Sequence, residues 1–423
     1  MSDQSPQERR LEDICELISR GRQPSYVEDS PVRAIGQRCV RDGRFLEEHT
    51  RAHDPNQLSG HLFAKSGDVL LNSTGTGTIG RAAMFSSERS CLVDGHVTLL
   101  RPRGEAVVSY VLHEIIAHPD TQREIEIRFV TGSTNQVELL TNKLGQLAVS
   151  VPKLEAQPVI SSILRSIDEA IQKTNDTIEK LGAVRLGVID DLLTCGLVDD
   201  GLPRQVSGLV ESKVGPRPAS WSVANLGRFV VGAEYGTNLS LGDSSAGIPV
   251  LRMNNIQGGE FDLADMKYAP AHAVDRFRLQ RNDVLFNRTN SWEHVGKAAI
   301  WRRDEPGPAF ASYLVRLHCG DALLPEFLHL WLNWAPVQRA IRQFATPGVQ
   351  QVNINPTNLR RALIAVPDTL DEQRAIIARV NGIAAAIEDH RRERAKLSSL
   401  RKGLRDDVLT GRKPVVAIRE AAE

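Results

Sequence analysis

The sequence predicts two α/β (α+β) domains in tandem, each followed by a long α-helix, with the two helices paired as an antiparallel coiled coil about a pseudo-two-fold axis. Three observations predict it. An internal repeat holds one offset across the chain, a heptad seam runs through the second part of each repeat, and a Pro- and Gly-bearing connector separates the copies.

The repeat comes first. DVLLNST at 68–74 returns as DVLFNRT at 283–289, IGRAAMF at 79–85 as VGKAAIW at 295–301, FVTGSTNQV at 129–137 as FATPGVQQV at 344–352, and VSVP at 149–152 as IAVP at 364–367. The offset stays at 215 or 216 residues and the order never changes, which chance does not produce. These blocks divide the chain into a first α/β domain (1–152), a first helix (153–200), a linker (201–219), a second α/β domain (220–367), a second helix (368–413) and a short tail (414–423). The linker has little periodicity and reads as an exposed connector.

Within each α/β domain, Val69–Leu71 and Val284–Phe286 read as buried strands approached through a turn containing Asp. STGTGTI after Asn72 must be a loop, because its glycines permit backbone angles barred to other residues. Val107–Phe129 reads as helix broken near Pro119, and its counterpart near 323–344 carries Pro336.

The helices carry the sharpest pattern. In the first, the seam is Ile160, Leu164, Ile167, Ile171, Thr174, Ile178, Leu181, Arg185, Val188 and Leu192. In the second it is Ile376, Val380, Ile383, Ile387, His390, Arg394, Leu397, Arg401, Leu404 and Val408, each 216 positions later. The polar members cost stability and can fix register. Pro158 is tolerated in a first turn, and Thr369 with Glu372 has the capping-box spacing. A helix of about 37 residues spans roughly 55 Å and needs a partner for its stripe; its own repeat supplies one. A coiled coil used only for oligomerisation would explain the helices but not why each is fused to a similar folded module.

Composition narrows the function. Lys+Arg and Asp+Glu are equal at 52, which counts mildly against nucleic-acid binding, although a neutral total can hide a basic face. Arginine far outnumbers lysine and suits bidentate contact with guanine, but a base-composition bias in the gene would give the same excess. The five cysteines are far apart and form no CxxC pair, so a zinc site is not expected and reduced thiols of a cytoplasmic protein are. The charged first thirty residues hold no apolar stretch of signal-peptide length, and no apolar run is long enough for a membrane span, so neither segment is expected. Catalytic motifs are missing too. Asn355-Pro356-Thr357 lacks the second Pro and the aromatic of an amino-methyltransferase motif, STGTGTIG is not GxGxxG and has no P-loop Lys, and no HExxH occurs. His113 and His118 read as structural. No catalytic residue, metal or cofactor is therefore expected in this chain.

Two α/β units each followed by a heptad helix, GDVLLNSTGTGTIGRAAMF at 67–85, the Pro-to-Glu-Gln passage VPDTLDEQRAIIARV at 366–380, and the helix ends LRDDVLTGRKP and VIDDLLTCGL together resemble the specificity subunit of type I restriction-modification systems. The first unit departs from that pattern at Glu155-Ala156-Gln157, where Glu and Gln are not adjacent, and at Cys195, which stands where the second unit has Gly411. The resemblance implies that each α/β domain is a target-recognition domain reading half of a bipartite double-stranded DNA site from the major groove, with the helices as the ruler between halves. It implies two methyltransferase subunits that flip adenines using S-adenosylmethionine, and a translocating restriction subunit that uses ATP and Mg.

Base readers are expected among polar side chains on loops. In the first domain these are Thr74, Thr76, Arg81 and Gln136; in the second, Arg288, Asn290, Lys297, Gln350 and Gln351. The loop after the strand differs most between copies, STGTGT against RTNSWEH, as two readers of different half-sites should. Asn72 and Asn287 recur identically and are expected to hold a turn. A second reading makes the chain a coiled-coil scaffold whose α/β modules bind protein. A third, RNA or single-strand binding, is disfavoured because only 5% of residues are aromatic and such sites lean on stacking.

Overall fold

A computed structural model describes residues 6–132, 137–198, 202, 204–205, 208–348 and 351–413; Gln136, Gln350, the 414–423 tail and part of the 201–219 linker lie outside the described residues. The chain forms two compact units, residues 1–175 with 392–423 and residues 176–391, so each long helix contributes one half to each unit.

In unit 1 the buried strand Val69–Asn72 lies between Val97–Pro102 and Ala82–Met84, with Cys15–Arg20 on the outer side of Val97–Pro102, all antiparallel. Its side chains are buried on both faces, as an unbroken apolar run requires. A second four-stranded sheet pairs Arg33–Ile35 and Cys91–Val93 in parallel. The expected Asp turn is present: Asp68 Oδ2 accepts from the Lys65 N–H at 2.7 Å, and Arg101 grips the same carboxylate at 2.9 and 2.7 Å. Unit 2 repeats the sheet as Val230–Tyr235, Leu314–Cys319, Val284–Asn287 and Ala298–Ile300, and Asp283 Oδ2 accepts from the Gln280 N–H at 2.8 Å. The helical stretch resolves into Ser109–Ile116 and Pro119–Phe129 in unit 1, and Pro325–Asn333 and Ala335–Ile341 in unit 2, each broken beside its proline.

The long helices are Gln157–Cys195 and Leu370–Thr410. Every seam residue named above except Arg394, which is exposed, is buried or half-buried. In unit 1, Ile160 and Leu164 from the start of the first helix share a core with Val408 and Leu409 from the end of the second. In unit 2, Ile189 and Leu192 from the end of the first helix share a core with Ile376 and Val380 from the start of the second. Starts meet ends in both units, so the pairing is antiparallel.

Three local expectations are refined. Thr369 Oγ1 accepts from the Glu372 N–H at 3.2 Å, but the Glu372 carboxylate does not return to close a capping box. It accepts instead from the Leu197 N–H at 2.9 Å, from Trp221 Nε1 at 3.2 Å and from Arg204. Unit 1 has Ala156 at that place, which explains the broken Glu-Gln pair. The glutamine itself is kept in both copies and fully buried. Gln157 Oε1 accepts from the Val108 N–H at 2.7 Å while its amide donates to Ala106 and Pro152 carbonyls; Gln373 does the same with Leu324, Ala322 and Pro367. Finally, Cys195 is no departure at the helix end. The first helix runs one residue further past its seam, and Gly196 (φ +64°) takes the left-handed cap that Gly411 (φ +72°) takes in the other copy.

Candidate nucleic-acid interface

In unit 1 the Gly-rich loop 73–80 turns back through left-handed glycines at Gly75, Gly77 and Gly80. It is held from below by Asn72, fully buried, whose Nδ2 donates to the Gln37 carbonyl at 3.2 Å. That bond brings a short 3₁₀ turn, Gln37–Cys39, against the loop. The Gln37 side chain meets Thr74 and Thr78, and His96 Nδ1 lies 2.9 Å from Thr74 Oγ1, so Thr74 is engaged within the fold. Thr76 and Arg81 are exposed. Arg81 lines a cleft of about 610 Å³ together with Gln37, Arg38, Arg41, His49 and Thr78. Sequence reading missed Gln37, Arg38 and Arg41, because no repeated motif marks them and only the Asn72 bond reveals their place.

In unit 2 Asn287 makes the same tie, Nδ2 to the Met253 carbonyl at 2.9 Å, but the residues it gathers differ. Asn290 is spent internally, accepting from the Ser291 N–H at 2.8 Å and donating to Met253 O at 3.4 Å. Gln351 reaches the Met253 sulfur at 3.8 Å. The Arg288 guanidinium lies 5.2 Å from the Tyr235 ring centroid and donates to Ser312 O at 3.3 Å. Lys297 Nζ is 2.7 Å from His294 Nδ1. Trp292, Tyr235 and Tyr313 are exposed around this loop, and Trp292 falls where unit 1 has its glycine- and threonine-rich stretch. In both units a β-hairpin backs the loop. Glu138 bridges to Thr74 in unit 1, and Val352–Asn353 pairs with Thr289–Asn290 in unit 2. The candidate interface is thus one frame with two chemistries, exposed arginines and an amide in the first domain, exposed aromatics beside Arg288 and Lys297 in the second.

The α/β domains also differ in how they grip the helices. In unit 1 Arg401 donates to Glu114 at 2.7 and 3.0 Å and to Asp168 at 2.7 and 3.1 Å, and Tyr110 donates to Asp168 at 2.7 Å. Burial alone would push the Glu114 carboxyl up, but hydrogen bonds from His113 and Arg401 bring it down to about 2. In unit 2 the matching residues are Arg185, Leu330 and Ala384, and the tie between domain and helix is Trp334 Nε1 donating to Asp190 at 2.9 Å. No group of His, Cys, Asp and Glu able to hold a metal ion occurs among the described residues, and no described helix is long and apolar enough to cross a membrane.

Residues 5–182 match the type I restriction modification DNA specificity domain. Over 96% of its length the chain is 24% identical to the type I restriction enzyme MjaX specificity subunit of Methanocaldococcus jannaschii, covering 92% of that protein. It is 18% identical to the EcoKI specificity subunit of Escherichia coli over 85% of this chain and 77% of that one. The chain is thus similar over most of its length to type I restriction enzyme specificity subunits. Solved structures carry the same fold. A chain from a study of type I system assembly superposes with a TM-score of 0.60 at 14% identity, covering 97% of this chain and 98% of that one. The S subunit from M. genitalium superposes with a TM-score of 0.56 at 11% identity, covering 97% of each. This chain therefore shares the fold of those structures.

Proposed function

We propose that this chain is the DNA-reading subunit of a type I restriction-modification complex, each α/β domain addressing one half of a bipartite duplex site, and that it performs no chemistry itself. The observation that carries the reading is the contrast between the loops. One buried asparagine holds the same turn in both domains, while the exposed side chains around it include Arg38, Arg41 and Arg81 in one and Tyr235, Trp292 and Tyr313 in the other. A scaffold binding one kind of protein partner has no need of two unlike faces on one frame; two half-sites do.

Thr76 and Arg81 in the first domain, with Arg288, Lys297 and Gln351 in the second, stay as candidate base and phosphate contacts, joined by Gln37, Arg38 and Arg41. Two methyltransferase subunits supply S-adenosylmethionine chemistry on adenine, and a translocating restriction subunit supplies the ATP- and Mg-dependent step, in the cytoplasm. The methylome of cells with and without the gene tests the reading. Loss of one bipartite adenine-methylated motif is expected; an unchanged methylome with the methyltransferase present would overturn it.

A further inference from the structure

Unit 2 contains a cleft of about 700 Å³ whose charge is unlike that of its counterpart in unit 1. Arg185, Lys297, Arg339 and Arg342 line it, and among the described lining residues the one acid is Asp190, already taken by Trp334. Glu293 is near Arg342, but its carboxylate is fully exposed and bonded to its own backbone and to Ser291. The Nε atoms of Arg185 and Arg342 are buried without a hydrogen-bond partner. Buried donors of this kind call for an acceptor. Burial and the charge of Arg342 push the Lys297 ammonium pKa down, as expected of cations crowded without a counter-charge.

The matching positions in unit 1 read differently. Arg401 replaces Arg185 and is neutralised by Glu114 and Asp168; Arg123 replaces Arg339 and pairs with Asp120 at 3.7 Å; Glu126 replaces Arg342. That cleft, about 620 Å³, holds Asp42, Glu114 and Asp168 against Arg44, Arg401 and Arg405. The unit 2 cleft also adjoins the reading loop. Lys297 closes that loop, and Arg342 donates to the Glu293 carbonyl within it at 3.3 Å.

We infer that the Arg185–Lys297–Arg339–Arg342 cleft holds a backbone phosphate of the duplex flanking the bases read by the second domain, and that the first domain makes no matching contact. The inference rests on the DNA-reading function proposed above. Arginine forks suit phosphate oxygens, and such a contact adds affinity without sequence preference.

The test uses the full chain with its methyltransferase partner and a duplex bearing the methylated motif, titrated by fluorescence anisotropy across a KCl series. For Arg339→Gln/Arg342→Gln, log K against log salt becomes shallower by about one, near the ~0.9 expected per phosphate contact. Affinity falls by the same factor on the motif and on a duplex scrambled in the second half-site. Arg339→Lys/Arg342→Lys keeps the wild-type slope, and so does Arg123→Gln in unit 1. If the double variant melts early, exposed Arg339→Gln alone carries the test with a smaller change of slope. An unchanged slope in a folded variant overturns the inference. So does a rise in wild-type Tm with inorganic phosphate or ATP that the variant loses while its DNA slope stays the same, since that marks a free phosphate ligand. A wild-type complex that binds the motif no better than scrambled DNA sinks the DNA-reading function itself, and this inference with it.

Discussion

The two junctions between α/β domain and helix occupy the same place on a duplicated frame, yet they are built by different physics. In unit 1 a seam arginine, Arg401, is held by two carboxylates, one of them also bonded by Tyr110, with Glu114 only 1% exposed. In unit 2 the equivalent Arg185 faces Leu330 across the same gap, and an indole–carboxylate bond does the tying. Duplication conserved the helix arginine and let its partners drift. One copy became a closed ion-pair cluster and the other an open cationic cleft. Identical residues at matching positions therefore do not imply matching roles; their partners decide.

The largest effect expected from breaking this contrast is at Glu114. Glu114→Ala leaves the Arg401 charge half-buried with Asp168 as its remaining carboxylate, and removing one member of a buried pair costs on the order of 3–5 kcal/mol. Urea unfolding should show that loss, whereas Arg185→Ala in unit 2, which breaks no ion pair, should change stability far less. Next comes pH. The Glu114 carboxyl titrates near 2 in the folded chain, below its ordinary value of 4.5. Its stabilisation is complete above the unfolded value and is lost as pH falls through the folded one. Stability should drop between about pH 4.5 and pH 2, by roughly 3 kcal/mol for this residue, since one unit is about 1.4 kcal/mol. The Glu114→Gln variant should lose that part of the acid slope.

The periodic parts of this fold were legible in the sequence, and the partnered parts were not. A heptad seam announces itself because helix geometry forces spacing onto the residues, and the Asp turns before Val69 and Val284 sit in a repeated motif. Glu114 lies in an apolar helix, 287 residues from Arg401, and no local pattern links them. Glu372 had the capping spacing, but Leu197, Arg204 and Trp221 compete for its carboxylate from far along the chain. At the candidate interface, polarity in the sequence did not tell free side chains from engaged ones. Thr74 and Asn290 are absorbed by internal bonds, while Arg38 and Arg41 are exposed beside the loop. The ion pair to the strand Asp shows the same limit. Arg316 stands opposite Leu285, whereas Leu100, next to Arg101, stands opposite Val69, so the same contact is reached from different registers.

What the copies share should respond equally. Gln157→Ala and Gln373→Ala each strip hydrogen bonds from buried backbone groups at the helix start. Each should cost about 1–3 kcal/mol by chemical denaturation. A large inequality between them would show that the junction is less symmetric than its bonds suggest.

The smallest effect is expected at Trp334. Trp334→Phe keeps an aromatic ring in a buried site and removes only the indole donor to Asp190. The net worth of one hydrogen bond to a charged acceptor is about 1.5–3 kcal/mol, but Asp190 is exposed and water can replace the indole, so about 1 kcal/mol is expected. The freed Asp190 carboxylate remains in the cleft with Arg185, Arg339 and Arg342. If that cleft takes a phosphate, a newly unengaged acid should compete with it, and Trp334→Phe should weaken binding to the motif and to scrambled duplex by the same factor. A variant that loses about 1 kcal/mol of stability with DNA affinity unchanged would separate the two roles, leaving Trp334 as a structural tie and Asp190 without influence on the arginines.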